Sequence, residues 1–139
     1  MSDLNLTLSP EALKSVSELA LAHVGDAVFE LLVRQELCCV KAAPMRDLHR
    51  MTVARVNAPA QAARMEKLLP LLTPEELTVY KRGRNAHTHQ APKSASPGQY
   101  ARATGLEALF GWLYLKGNIA RLRELFAQIA DRQTNGESL

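Results

Sequence analysis

The apolar residues of this chain recur at the spacing of a helix face. Leu13, Val16, Leu19, Ala20, Val24, Ala27, Val28 and Leu31 follow that period and not the alternation of two that marks a strand. Ser9-Pro10-Glu11 starts the element, with serine as N-cap, proline at the first helical position and an acid in the first turn. Gly25 interrupts the pattern at a cost of about 1 kcal/mol relative to alanine, and marks either a close helix contact or a break between two helices. Pro44 opens a second stretch with Leu48, Met51, Val56 and Met65 as its candidate buried side, and Pro59 kinks or divides it. Thr73-Pro74-Glu75-Glu76 opens a third, joining an N-cap and first-turn proline to capping-box spacing. That helix is expected to pass through Leu77 and Tyr80 and to end near Gly83. A polar interval, NAHTHQAPKSASPG, is rich in turn formers. The last helices are expected to begin near Gln99, pause at Lys116-Gly117-Asn118 and resume as IARLRELFAQIA. No segment reads as a strand and nothing repeats, so the predicted fold class is all-α.

Length and composition narrow this picture. The 139 residues fit one domain over 1–139 with a real core, its ends frayed over about 1–8 and 133–139. Aromatic content is only 5% against 47% hydrophobic, so leucine, alanine and valine must build most of that core. No apolar run is long and clean enough to span a bilayer, and MSDLNLTLSP lacks the basic start and apolar body of a signal peptide. Cys38 and Cys39 are neighbours with no other cysteine to pair with, which points to a reducing, cytoplasmic setting and to small filler at a helix end.

Charge adds a candidate binding surface. The net charge of +3 says little by itself, but its distribution is uneven. Lys81, Arg82 and Arg84 cluster beside a loop holding His87, His89 and Lys93, and no acid lies between Glu76 and Glu107. His87 and His89 lack the further ligands that a structural zinc site requires.

The candidate chemistry rests on carboxylates in apolar surroundings. LALAHVGDAVFELLV, residues 19–33, is apolar apart from His23, Asp26 and Glu30, and ATGLEALFGWLYL, residues 103–115, carries only Glu107. On a helical wheel of about 100° per residue, Leu21, Val24, Val28 and Leu31 oppose Asp26, while Ala22, Phe29 and Val33 flank it. One reading makes Asp26 and Glu30 a solvated stripe and pairs Glu107 with an arginine such as Arg102. The other reads a carboxylate from each of two helices as a shared site for Mg²⁺ or Mn²⁺, which keep several waters and take one or two protein carboxylates. Such an ion polarises a phosphodiester oxygen and lowers the pKa of water. The second reading predicts a metal-dependent nuclease.

Two stretches carry a family resemblance. Gly25-Asp26-Ala27-Val28 with Phe29-Glu30-Leu31 resembles the signature helix of the ribonuclease III family, and Leu106 to Leu115 resembles its second acidic helix. Leu48-His49-Arg50 and Lys81-Arg82-Gly83-Arg84-Asn85-Ala86, with Pro92-Lys93, resemble motifs of its Mini-ribonuclease III branch, which consists of the catalytic domain alone. The similarity runs from about Leu19 to Ala130. It implies an all-α homodimer, without a separate double-stranded-RNA-binding domain, that cleaves both strands of double-stranded RNA with divalent metal. The implied biological substrate is precursor large-subunit ribosomal RNA, with a ribosomal protein or pre-ribosomal particle as a further partner. By position, Asp26 and Glu107 carry over as the catalytic, metal-binding pair.

Three acids of ordinary ribonuclease III are absent from their expected positions, which hold Ala22, Thr104 and Ala58. His23 occupies the position of the bulky aromatic at the family's dimer contact, which makes dimerisation a candidate for pH sensitivity. Double-stranded RNA is read mostly through phosphates and 2′-hydroxyls. Lys81, Arg82, Arg84 and Lys93 suit the first, and Asn85 the second. His49 and Arg50 suit an RNA contact, a dimer contact or a plain helix face equally. Glu30 fits either an outer-shell ligand or a structural partner. The rival functions are a non-catalytic RNA-binding or ribosome-assembly module on the same fold, and a helical interaction protein whose acids are salt-bridged.

Overall fold

The computed structural model describes residues 7–86 and 94–130, and among them all regular structure is helical. The α-helices are α1 (Pro10–Lys14), α2 (Glu18–Gln35), α3 (Leu48–Val56), α4 (Ala58–Leu68), α5 (Pro74–Asn85), α6 (Pro97–Lys116) and α7 (Ile119–Ile129). A π-helical turn, Glu36–Val40, extends α2 and carries Cys38 and Cys39, both exposed free thiols. None of these helices is long and apolar enough to cross a membrane.

Side-chain caps set most of the boundaries. Ser9 accepts from Ala12 N at 3.1 Å, Ser17 from Ala20 N at 3.1 Å and Asn57 from Ala60 N at 2.8 Å. Each satisfies a backbone donor that the first helical turn leaves without a partner. The helical period from Leu13 to Leu31 is broken at Ser17 and not at Gly25: the chain leaves α1 after Lys14 and restarts at Glu18. Asn57 settles the role of Pro59, which divides two helices and sits in the first turn of the second. Thr73 and Glu76 close the expected capping box, though α5 continues two residues past Gly83. Ser96-Pro97 with Gln99 forms a second capping box, so α6 begins at Pro97 and the polar interval is shorter than expected. Its signature equals that at Thr73-Pro74.

Helix α6 occupies the centre. Leu106, Leu109, Phe110 and Leu113 are completely buried, as a helix apolar on all sides requires. Phe29 of α2 packs on Phe110 and Phe126 with centroid separations of 5.5 and 5.9 Å. Gly117, at φ +87°, ends α6 in the left-handed conformation that glycine adopts without steric cost.

Gly25 is a close-contact glycine and not a helix break. A Cβ there would lie 1.6 Å from the carbonyl oxygen of Glu107, and one on Gly111 would lie 2.0 Å from the carbonyl oxygen of Leu21. Helices α2 and α6 therefore cross backbone against backbone. Helix α5 packs on the same central helix, where a Cβ on Gly83 would fall 2.5 Å from that of Ala108.

Candidate active site

The glycine crossing places both candidate carboxylates. Asp26 follows Gly25 on α2, and the carbonyl that Gly25 faces belongs to Glu107 on α6. The two carboxyl groups lie close enough for each to feel the other's charge. Asp26 is exposed and Glu107 half-buried, so the pair lies at the rim of the core. Burial pushes the Glu107 carboxyl up to about 8, and the charge and hydrogen bond of Asp26 push the same way. The Gln61 amide on α4 opposes them.

The wheel reading needs one correction. Ala22, Phe29 and Val33, expected beside Asp26 on its own side, are buried, whereas Leu31, expected opposite, is 62% exposed. The packed face of α2 runs through Leu21, Ala22, Gly25, Val28, Phe29 and Val33, and Asp26 borders it. The alternative reading, which paired Glu107 with an arginine such as Arg102, fails for that residue, because Arg102 Nε lies 3.7 Å from Glu66. Glu30 forms an ion pair with Arg34 one turn along α2, which is the structural reading of that residue.

The three positions that lack an acid contribute no carboxylate. Ala22 is buried, Ala58 half-buried, and the buried Thr104 donates its hydroxyl to the carbonyl of Tyr100 at 3.0 Å. Among the described residues no group of three or more His, Cys, Asp or Glu side chains is placed to hold a metal. Two neighbouring hard oxygen donors, whose mutual repulsion a cation would relieve, nevertheless fit a divalent ion such as magnesium, whose remaining positions water and phosphate fill. The pair has the right chemistry for that ion.

Gln61 is the site residue that sequence reasoning missed. It is 2% exposed and belongs to the buried stripe Gln61, Ala62, Met65 and Leu68 of α4. Its signal was available in the sequence, as a polar residue at helical spacing with apolar core positions.

The basic candidates divide by helix. Lys81, Arg82 and Asn85 are exposed at the C-terminal end of α5. Arg84 lies 5.7 Å over the Tyr80 ring and donates from Nε to Asn85 Oδ1 at 3.1 Å. His49 and Arg50 are exposed on α3, where Arg50 reaches Asp47 at 3.4 Å. His23 is exposed on α2. Lys93, His87 and His89 lie outside the described residues.

This all-helical fold, with a glycine-aspartate crossing against a glutamate helix, defines a ribonuclease III domain. The profile of the Ribonuclease III domain family matches residues 19–118, and the chain belongs to that family of endoribonucleases, within its Mini-ribonuclease 3 group. It is 47% identical over 119 residues to Mini-ribonuclease 3 of Symbiobacterium thermophilum, covering 86% of this chain and 92% of the relative. Against Mini-ribonuclease 3 of Synechocystis it is 48% identical over 130 residues, covering 92% and 87%. The crystal structure of protein FN1578 from Fusobacterium nucleatum superposes with a TM-score of 0.77 at 28% identity, over 84% of this chain and 95% of that one.

Proposed function

We propose that this protein is a Mg²⁺-dependent endoribonuclease that cleaves double-stranded RNA, with precursor large-subunit ribosomal RNA as its biological substrate. The observation that carries the reading is the Asp26–Glu107 contact at a crossing that only glycines permit. Membership of a family that depends on divalent metal and binds double-stranded RNA supports it. Asp26 and Glu107 hold the ion, for which Mn²⁺ substitutes on the same hard-oxygen chemistry. When bound, the ion supplies a Lewis acid for the phosphodiester and lowers the pKa of water. Asp26, at the exposed edge of the pair, presents its carboxylate to solvent and substrate. Glu107, carried on the buried central helix α6, fixes the position of the second oxygen donor.

Lys81, Arg82, Arg84, Asn85 and Lys93 contact the RNA backbone, with His49 and Arg50 as outlying contacts. The enzyme acts as a cytoplasmic homodimer with one site per subunit, and the His23 face of α2 contributes to the contact. A ribosomal protein or pre-ribosomal particle presents the substrate.

The test is a gel assay of long duplex RNA with and without Mg²⁺. Removing either carboxylate should lower cleavage by about 10²–10⁴-fold, the rate equivalent of several kcal/mol of metal-ion stabilisation. Both Asp26→Asn and Glu107→Gln should still bind duplex RNA. Full cleavage by either variant would overturn the assignment, and tight binding without product from the wild-type protein would favour an assembly module.

A further inference from the structure

The buried amide of Gln61 is poorly suited to a purely structural role. It is 2% exposed, yet its Nε2 makes no hydrogen bond. A buried donor without a partner costs about 1–3 kcal/mol, which an apolar side chain of the same length would avoid. The amide faces Glu107 closely enough to lower the proton affinity of that carboxyl, though beyond a closed hydrogen bond. Helix α4 holds it firmly, through the Asn57 cap at one end and Arg64 Nε donating to the Ile129 carbonyl at 3.1 Å. Helices α2, α4 and α6 thus each direct a polar side chain to one point.

We propose that Gln61 is a positioning residue for Glu107: its Nε2 donates to one carboxylate oxygen and leaves the other for the cation shared with Asp26. The terminal torsion of a glutamate is broad and does not fix the carboxylate plane by itself. A donor to one oxygen does fix it, and ligating carboxylates are generally held by such partners. The need is greater here because Ala22, Ala58 and Thr104 supply no further carboxylate to hold the ion in place. This inference rests on the metal-binding reading given above.

Gln61→Met tests it, since methionine keeps the length and fills the core. With Mn²⁺ alone as the probe, followed by electron paramagnetic resonance, the dissociation constant should rise about 10–100-fold. The Mg²⁺ midpoint for cleavage should rise in parallel, while thermal stability in EDTA rises or holds and duplex-RNA affinity in EDTA stays at the wild-type level. Wild-type Mn²⁺ affinity in Gln61→Met would overturn the proposal and leave Gln61 a packing residue. Gln61→Glu exchanges the donor for an oxygen of the same reach and should remain impaired. Wild-type Mn²⁺ binding and cleavage in that variant would instead make Gln61 an oxygen ligand and overturn the donor role. Should Gln61→Met fail to fold, Gln61→Asn, whose amide is drawn back by one methylene, carries the same test. Glu107→Gln is run alongside. If that variant also binds Mn²⁺ normally, the metal reading itself fails, whereas failure confined to the Gln61 variants strikes only this inference.

Discussion

Glu76 on α5 and Glu107 on α6 have opposite surroundings. Glu76 is 5% exposed and fully partnered. Its oxygens accept from Arg121 Nε at 2.8 Å, Arg121 Nη2 at 2.9 Å and Thr73 N at 2.9 Å. Arg121 is itself tied to the Leu71 carbonyl at 2.8 Å and to Glu124 at 3.0 Å. Those hydrogen bonds, led by Arg121, hold the Glu76 carboxyl below its ordinary value despite burial. Glu107 meets no arginine: burial, and then the neighbouring Asp26 carboxyl, raise its proton affinity, and only the Gln61 amide opposes them. A carboxylate with its counter-ion built in fastens α5 to α7. One placed against a second acid leaves room for a counter-ion from solution. Desolvation raises both carboxyls, and only Glu76 has an arginine that outweighs it, so the partner set distinguishes support from chemistry.

The sharpest way to break the comparison is to remove the built-in counter-ion. Arg121→Ala should destabilise the fold by about 3–5 kcal/mol, because it strands a buried charge. Chemical denaturation would measure the loss, and cleavage per folded molecule should be unchanged. A stability loss below about 1 kcal/mol would show that the pair contributes no more than an exposed ion pair. Next in size is Gly25→Ala. Its methyl would meet the Glu107 carbonyl at 1.6 Å, so helix α6 must move, at a cost of about 1–3 kcal/mol or more. Unlike Arg121→Ala, this substitution should also depress cleavage by the folded fraction, since the atoms displaced belong to the residue that bears the carboxylate. Normal cleavage by a destabilised Gly25→Ala would uncouple the crossing from the site.

The pH dependence of stability separates the two residues by sign. Glu76 has a lowered folded pKa, so its contribution is present above the ordinary value of 4.5 and is lost as pH falls through the folded value. Glu107 has a raised one, from 4.5 to about 8. Between those values the folded state keeps a proton that the unfolded chain has released, so stability falls as pH rises across the window. Glu107→Gln should therefore stabilise the metal-free protein at pH 8, by about 1–3 kcal/mol, the cost of a poorly satisfied buried polar group. It should also flatten the slope between pH 5 and 8 in thermal melts. An unchanged slope would mean that Glu107 does not titrate there. Divalent metal should reverse the effect in the wild-type protein alone, because the cation displaces the proton.

The same contrast explains what the sequence revealed. Helix starts were readable because Ser, Thr or Asn followed closely by proline is a local signal, and the one at Ser96-Pro97 was missed only by placing the start at Gln99. The break at Ser17 was harder to see, since the apolar period continues across it and only a hydroxyl bond to Ala20 N cuts the helix. Asp26 and Glu107 stood out as charges in apolar runs, and the glycine beside Asp26 left a close crossing and a helix break equally open until the helices were packed. The Arg121–Glu76 pair was hidden because its partners lie 45 residues apart and Glu76 already had a local role in the capping box. Gln61 left only a faint signal, its helical spacing with Met65 and Leu68, because a neutral amide carries no charge. Long-range pairing and the orientation of an uncharged side chain emerge only once the helices are packed.

The smallest expected effect concerns the far end of the helix that Glu76 begins. If the first turn of α5 is support, its last turn, with Lys81, Arg82, Arg84 and Asn85, is the part left free to meet substrate. Arg84 is the informative member, because its guanidinium lies over the Tyr80 ring and is thereby held in one place. Arg84→Ala removes a cation–π contact of about 0.5–1 kcal/mol, so a small stability loss alone would say nothing about RNA. The salt dependence of binding would. Each phosphate contact contributes about 0.9 to the slope of log affinity against log salt, so loss of one contact should lower the slope by about that amount and weaken binding to all duplex sequences alike. Cleavage at saturating RNA should be unaffected, since Arg84 is assigned no part in holding the ion. An unchanged salt slope would place the last turn of α5 on the structural side of the comparison with Glu76, and the search for the RNA surface would then move to His49 and Arg50 on α3.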